Sequence, residues 1–250
     1  MVQHDVLALL LVFLAGVYAG TQNTLAGGGS FITFPALLLF GLNPLAANIT
    51  STVALFPNQI TSAWAGRNVA AGFINISLSK LFFISVIGGI LGALLLLATP
   101  VKYFESLVPW LVLFATVVFI WGSFRKGATD SSAELPEHWY AVSQFLIGVY
   151  GGYFGGGIGI LMLAALTMAG QQVRAATATK NVLAMAMNAS AVALFVFSQH
   201  VNWYAAMALS LGGIVGALIG NWLLHRLPVK VLKSIVIAVG LTLTVWLFVK

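Results

Sequence analysis

The sequence predicts an all-α integral membrane protein, on the strength of its composition and its long apolar runs. Of 250 residues, 60% are hydrophobic and 6% are charged, too few charges for the surface of a soluble domain of this length. Apolar runs of about 20 residues, the length at which a helix spans a bilayer, recur along the chain. The basic residues stand singly or in small groups between these runs, as in membrane loops, so no nucleic-acid partner is expected.

Ten apolar segments follow one another, five in each half. They cover roughly 6–26, 30–42, 46–66, 73–98 and 104–124, then 139–154, 158–169, 175–198, 202–224 and 229–249. The second segment of each half is too short to cross a hydrocarbon core of about 30 Å, so we expect half-membrane helices there. A polar stretch separates the halves, which predicts a first membrane repeat at 1–124, a cytoplasmic linker at 125–138 and a second repeat at 139–250.

A glycine triplet directly precedes each short segment. The triplets are Gly27, Gly28 and Gly29 in the first half and Gly155, Gly156 and Gly157 in the second. Three successive glycines favour a break in a membrane helix, because glycine is the poorest helix former after proline. One break in each half predicts a transporter built from two repeats, with its binding site at the broken helices.

A second pair of glycine motifs supports the duplication. Residues 87–94 and 211–218 are identical at six of eight positions, at an offset of 124. Gly88 and Gly92, like Gly212 and Gly216, are four residues apart, a spacing that lets two helices approach closely. We therefore interpret these four glycines as packing residues.

The distribution of lysine and arginine predicts opposite orientations for the halves. Basic residues flank the loops near 66–73 and 224–229 and open the linker, which should therefore face the cytoplasm. The loops near 98–104 and 198–202 should face outward. The loop after the third segment is thus inside in the first half and outside in the second, which predicts two inverted repeats with both termini outside.

The acidic residues exclude several kinds of membrane protein. The chain has five, Asp5, Glu105, Asp130, Glu134 and Glu137, all at a terminus, at a segment end or in the linker. Cation carriers and many proton-coupled pumps use a carboxylate inside the membrane. The four histidines also lie at segment ends and there is no cysteine, so we expect no metal site, no cofactor and no intramembrane enzyme.

Neutral hydrogen-bond donors are concentrated beside the glycine triplets. The predicted binding residues, apart from the glycines, are Ser30, Asn48, Thr50, Ser51, Asn58, Thr177, Thr179, Lys180 and Asn188. Thr50 corresponds to Thr179, and we match Asn58 with Asn188. Because a helix that starts after a break presents free N–H groups and a positive dipole end, this set predicts a site for a small oxyanion.

Each of these residues also has a purely structural interpretation. Serine and threonine hydroxyls in membrane helices often bond to their own backbone, and Asn58 and Asn188 suit contacts between helices. Lys180 has the reach to extend its ammonium to the membrane surface, and Arg174 is interpreted as an interface anchor.

The ordered motifs resemble the sulfite exporter TauE/SafE family over nearly the whole chain. The first repeat of that family is similar to Gly-Gly-Gly-Ser-Phe-Ile-Thr-Phe-Pro at 27–35 followed by Ala-Asn-Ile-Thr-Ser at 47–51. The second is similar to the triplet at 155–157 with Ala-Thr-Ala-Thr-Lys-Asn at 176–181. The resemblance implies transport of sulfite, sulfoacetate or another small organosulfur anion across a bacterial inner membrane.

The sequence therefore predicts a secondary transporter for a small anion, in the lipid bilayer of the inner membrane, that exports by alternating access. Two alternatives stay open, a passive anion channel and a membrane scaffold that transports nothing. Neither the anion nor the oligomeric state follows from the residues.

Overall fold

A computed structural model describes residues 6–25, 28–72, 76–124, 137–223 and 229–249, and these residues form ten α-helices. The helices are α1 (Val6–Leu25), α2 (Ser30–Leu39), α3 (Pro44–Gly66), α4 (Leu78–Ala98), α5 (Val101–Phe124), α6 (Glu137–Tyr153), α7 (Ile158–Met168), α8 (Val173–Phe195), α9 (Trp203–Leu223) and α10 (Val229–Val249). Each predicted segment coincides with one helix, so the prediction of an all-α fold is confirmed. Residues 125–136, most of the predicted linker, lie outside the described residues.

Both short helices begin at glycines that hold a backbone conformation L side chains rarely adopt. Gly157, the residue before α7, has a φ of +75°, and Gly155 has a φ of +79°. Gly28, just before α2, has a φ of +86°. The two helices have 10 and 11 residues, so at 1.5 Å per residue each is roughly 15 Å long, about half of a bilayer core. The predicted half-membrane helices are therefore present.

Helices from the two halves pack against one another in matching pairs. Helix α1 packs against α9, and its counterpart α6 packs against α4. The third helices of the halves, α3 and α8, contact each other, and α5 contacts α7 as α10 contacts α2. The same pairing recurs when the halves are exchanged, as expected for a duplicated chain. The boundaries of the repeats and their inverted orientation stay predictions.

Glycines at four-residue spacing bring these helix pairs into backbone contact. A Cβ added at Gly216 of α9 would overlap the carbonyl oxygen of Val17 in α1. A Cβ added at Gly92 of α4 would overlap the carbonyl oxygen of Val149 in α6. Because no side chain larger than hydrogen fits at these points, Gly92 and Gly216 are packing residues, as their spacing predicts.

The outer surface of the bundle suits a membrane. Within the described parts of the chain, four helices, α1, α4, α5 and α9, contain windows long and apolar enough to cross a bilayer. Large apolar side chains such as Phe83, Leu94, Trp110 and Leu218 are exposed on them, where lipid would cover them. Helices α3 and α8 are less apolar and carry buried polar residues, and they lie between the other helices. The chain is thus a multi-pass membrane protein with a polar interior.

Candidate functional site

A cavity lies where the two short helices meet the two polar ones. Its volume is about 760 Å³, within the usual range for small-molecule sites. Residues of α2, α3, α7 and α8 and both described glycine breaks line it, and α5 contributes Val112 and Phe119. The cavity therefore combines residues from both halves of the chain.

The two glycine breaks approach this cavity at neighbouring points on α5. A Cβ built on Gly28 would lie 2.9 Å from the ring of Phe119, and one built on Gly157 would lie 3.3 Å from the carbonyl oxygen of Ala115. These two α5 residues are one helical turn apart, roughly 6 Å along the axis. The starts of α2 and α7 thus face the same cavity. Of the predicted glycines, Gly28, Gly29, Gly155, Gly156 and Gly157 line it. Gly27 lies outside the described residues.

One face of α3 presents a polar stripe to the cavity. The polar lining residues are Asn48, Ser51, Thr52, Gln59 and Ser62. Relative to Asn48 they lie 3, 4, 11 and 14 residues along α3, the positions of one side of a helix. Four of them are already engaged, because the Thr52 and Ser62 hydroxyls donate to the carbonyl oxygens of Asn48 and Asn58 in their own helix. The Asn48 side chain donates a 2.9 Å hydrogen bond to the carbonyl oxygen of Tyr153, and the Ser51 hydroxyl is hydrogen-bonded to Thr33 of α2. The side-chain oxygen of Gln59 is buried and has no hydrogen-bond partner among the residues that the structure describes.

One face of α8 presents a second polar stripe, which includes two cations. Its polar lining residues are Arg174, Thr177, Lys180, Asn181 and Asn188. The Lys180 ammonium lies at the first turn of α7, 3.6 Å from the position of a Cβ built on Gly159. Asn188 is only 2% exposed, and its amide makes no hydrogen bond to the described part of the protein. Because Asn188 lines the cavity, its amide is suited to bind water or a ligand there.

No described acidic side chain balances these two cations. The one acidic residue whose side chain is described, Glu105, is exposed near the start of α5 and does not line the cavity. Nor do the described residues bring three histidines or carboxylates together as metal ligands would be. Within the described lining, the charge is therefore positive and the neutral groups are mainly hydroxyls, amides and backbone N–H groups, which stabilise anions.

Thr50 and Thr179, both predicted to bind the anion, lie outside the cavity lining. The Thr50 hydroxyl accepts a 3.1 Å hydrogen bond from the backbone N–H of Asn202, just before α9. The Thr179 hydroxyl donates to the carbonyl oxygen of Ala71 and accepts from its N–H, at 3.0 and 3.1 Å. Each threonine thus attaches a loop of the opposite half to a polar helix. This contact depends on the tertiary fold and leaves no trace in the local sequence.

Asn58 also lies outside the lining, because its match with Asn188 is displaced by one residue. Helix α3 begins at Pro44 and α8 at Val173, an offset of 129 that aligns Gln59 with Asn188. Gln59 lines the cavity and Asn58 does not. One residue along a helix turns the side chain by about 100°, enough to remove it from the lining face.

The cavity opens at one end and is closed at the other. Its exposed lining residues, Ala65, Val69, Arg174 and Thr177, all lie near the end of α3 or the start of α8. Arg174, interpreted from the sequence as an interface anchor, therefore lies at the mouth. Residues 66–72, the described part of the loop predicted to be cytoplasmic, lie at the same end.

Aromatic residues close the opposite end. Phe34 of α2 packs edge to face on Phe154, with ring centroids 5.7 Å apart. Tyr153 packs on Phe104 and donates a 3.3 Å hydrogen bond to the hydroxyl of Thr99, beside the loop predicted to face outward. Periodicity alone did not single out these aromatic side chains, because they look the same as core residues in the sequence. In the folded protein these aromatic side chains lie between the cavity and the outer loop, where they form a barrier.

Similarity to known proteins extends over almost the whole chain. The family model described as Sulfite exporter TauE/SafE matches residues 12–247. A "Probable membrane transporter protein ORF9" from Sinorhizobium sp is 30% identical over 242 residues, which cover 95% of this chain and 91% of that protein. A "Probable membrane transporter protein" from Haemophilus influenzae is 28% identical over 249 residues, covering 96% and 93% of the two chains. "Probable membrane transporter protein YfcA" from Escherichia coli K12 is 26% identical over 239 residues, covering 94% and 87%.

Proposed function

Because the chain belongs to the sulfite exporter TauE/SafE family of membrane transporters, we propose that it carries a small anion, sulfite or an organosulfonate, across the inner membrane. The anion binds in the cavity between α2, α3, α7 and α8 and leaves the cell by alternating access. The observation that carries this proposal is that Lys180 and the amide of Asn188 line the same cavity from one helix, α8. A cation and a free amide donor are the groups that a desolvated oxyanion requires.

The predicted site residues divide into three groups in this proposal. Lys180 supplies charge, and Asn188, Thr177 and Ser30 supply neutral donors from the lining. The glycines at the starts of α2 and α7 leave the first N–H groups of each helix accessible, at the positive end of its dipole. Asn48 and Ser51 line the cavity while bonded to other helices, so they keep its walls in position.

The apolar part of the lining supports an organic substituent on the anion. Phe31, Phe34, Phe119 and Phe154 also line the cavity. A volume of about 760 Å³ exceeds what inorganic sulfite fills, so sulfite would bind with water and a sulfonate would use the extra space.

The membrane potential favours export. With the cytoplasm negative, an outward-moving anion gains about 2.3 kcal/mol per charge per 100 mV. Export therefore requires no coupling carboxylate, in agreement with the positive described lining. In the predicted orientation, with both termini outside, the mouth faces the cytoplasm, as expected for a state that loads an exported substrate.

A passive channel is the main alternative, and the aromatic barrier at Tyr153 and Phe154 disfavours it. The test is flux through the purified protein in proteoliposomes. We expect saturable uptake of sulfite or sulfoacetate that is accelerated by the same anion on the opposite side. A large unitary conductance would favour the channel, and absence of any anion flux would favour the scaffold and contradict the proposal.

A further inference from the structure

We propose that Arg174 captures the anion at the mouth of the cavity and delivers it to Lys180. This inference rests on the proposed function, which assigns the cavity to a small anion. It gives Arg174 the role of a specificity residue, which favours anions of higher charge.

The position of Arg174 carries the first part of the argument. It lies in the first turn of α8, it is exposed, and it lines the cavity at the open end. An anion that enters at this end therefore comes close to a cation before it reaches Lys180. A cation beside the mouth of a cavity raises the local concentration of anions.

The local electrostatics carry the second part. The first turn of α8 contains no acidic residue. A cation near a helix N-terminus is repelled by the positive end of the helix dipole, so arginine there does not stabilise α8. In the described residues Arg174 makes no hydrogen bond, ion pair or ring contact. A bound anion would be attracted by both the guanidinium and the helix end.

Arg67 has a structural role and differs in this from Arg174. It follows α3, near the same end of the bundle. Its guanidinium lies 4.0 Å from the centroid of the Trp64 ring and donates a 2.8 Å hydrogen bond to the Trp64 carbonyl oxygen. Arg67 is therefore engaged by its own helix, and it does not line the cavity. The two arginines form a matched pair for experiment.

The spacing along α8 suits a transfer of the anion inward. From Arg174 to Lys180 is six residues, a rise of roughly 9 Å, and from Lys180 to Asn188 a further rise of roughly 12 Å. Both cationic side chains are long enough to contact one anion in turn between the first two positions. The third position is the buried amide of Asn188, which makes no hydrogen bond to the described residues and lines the same cavity.

The test compares two sulfonates of different charge in proteoliposomes that contain the full chain. Arg174→Gln should raise the KM about tenfold for the dianion sulfoacetate and about threefold for the monoanion methanesulfonate, because the attraction scales with charge. The maximal rate should stay unchanged, and KM should depend less steeply on ionic strength. Arg174→Lys should restore most of the affinity, and Arg67→Gln should behave as wild type.

Several outcomes would overturn this inference while leaving the proposed function intact. They are an unchanged KM and salt dependence in Arg174→Gln, an equal loss for both sulfonates, or a lower maximal rate at unchanged KM. If Arg174→Gln does not fold, Arg174→Lys provides the test, because this variant keeps the positive charge. Capture by charge requires that the KM and salt dependence of Arg174→Lys stay close to wild type, and a clear change in either would contradict it. Wild-type protein that carries no anion would contradict the proposed function itself.

Discussion

The backbone contact between α1 and α9 predicts a large difference between two neighbouring glycines. A Cβ added at Gly216 would overlap the carbonyl oxygen of Val17, whereas one added at Gly213 would have 4.0 Å to its nearest neighbour, the carbonyl oxygen of Gly16. Both glycines lie inside α9. Alanine at either position gains the same helix propensity, so the pair isolates the effect of packing.

The expected cost follows from the contact. A carbonyl group of a helix cannot rotate away, so Gly216→Ala forces α1 and α9 apart by about 1 Å to restore van der Waals distance. Such overpacking costs about 1–3 kcal/mol. Separation also lengthens the 2.9 Å hydrogen bond from the Thr21 hydroxyl to the Gly216 carbonyl oxygen, but this adds little because the same hydroxyl also lies 2.9 Å from the carbonyl oxygen of Val17 in its own helix.

Thermal unfolding in detergent, followed by tryptophan fluorescence, measures this difference. At about 2–4 °C per kcal/mol, we expect Gly216→Ala to lower the Tm by roughly 2–12 °C. Gly213→Ala should leave the Tm unchanged or raise it, since it relieves about 0.5–1 kcal/mol of helix propensity. Equal Tm values for the two variants would refute the packing of α1 on α9.

Three further predictions concern the interior. Gln59→Ala should raise the KM for sulfite in proteoliposomes severalfold and Asn58→Ala should not; the opposite ranking would restore the match of Asn58 with Asn188. Thr179→Val should lower the free energy of unfolding by about 1–2 kcal/mol, and therefore the Tm, while the KM stays unchanged. A changed KM at an unchanged Tm would instead show that this threonine binds the anion. Because the chain has no native cysteine, Thr99→Cys with Tyr153→Cys can be joined by a bifunctional thiol reagent. The cross-linked protein should lose flux that the unreacted variant retains, and persisting flux would show that this end need not open.

Much of the architecture follows from the sequence because it depends on local properties. Hydrophobicity and length mark all ten helices, since a span must satisfy its backbone within itself. The glycine triplets mark the breaks, and the four-residue glycine spacing marks close packing at Gly92 and Gly216. The family resemblance is confirmed by the match over residues 12–247.

The parts that the sequence does not yield depend on partners distant in the chain. Thr50 and Thr179 occupy equivalent positions beside the cavity face, but their hydroxyls bond to loops more than 100 residues away. The sequence match of Asn58 with Asn188 is displaced by one residue. Asn58 and Gln59 are both polar, so the sequence pattern hardly changes, but one residue along the helix rotates the side chain off the lining face. In the sequence Arg174 resembles an interface anchor, and only the folded structure places it at the mouth of the cavity. The binding role of the lining residues stays a prediction.

The most direct test of the central claim is the anion affinity of Lys180→Ala. Sulfite flux into proteoliposomes should show a KM raised about tenfold or more, because a hydrogen bond to a charged group contributes about 1.5–3 kcal/mol. Asn188→Ala should shift the KM in the same direction by a smaller factor. Lys102→Ala removes an exposed lysine of α5 that does not line the cavity and should match wild type. Normal affinity and flux in both Lys180→Ala and Asn188→Ala would contradict the assignment of this cavity as the anion site.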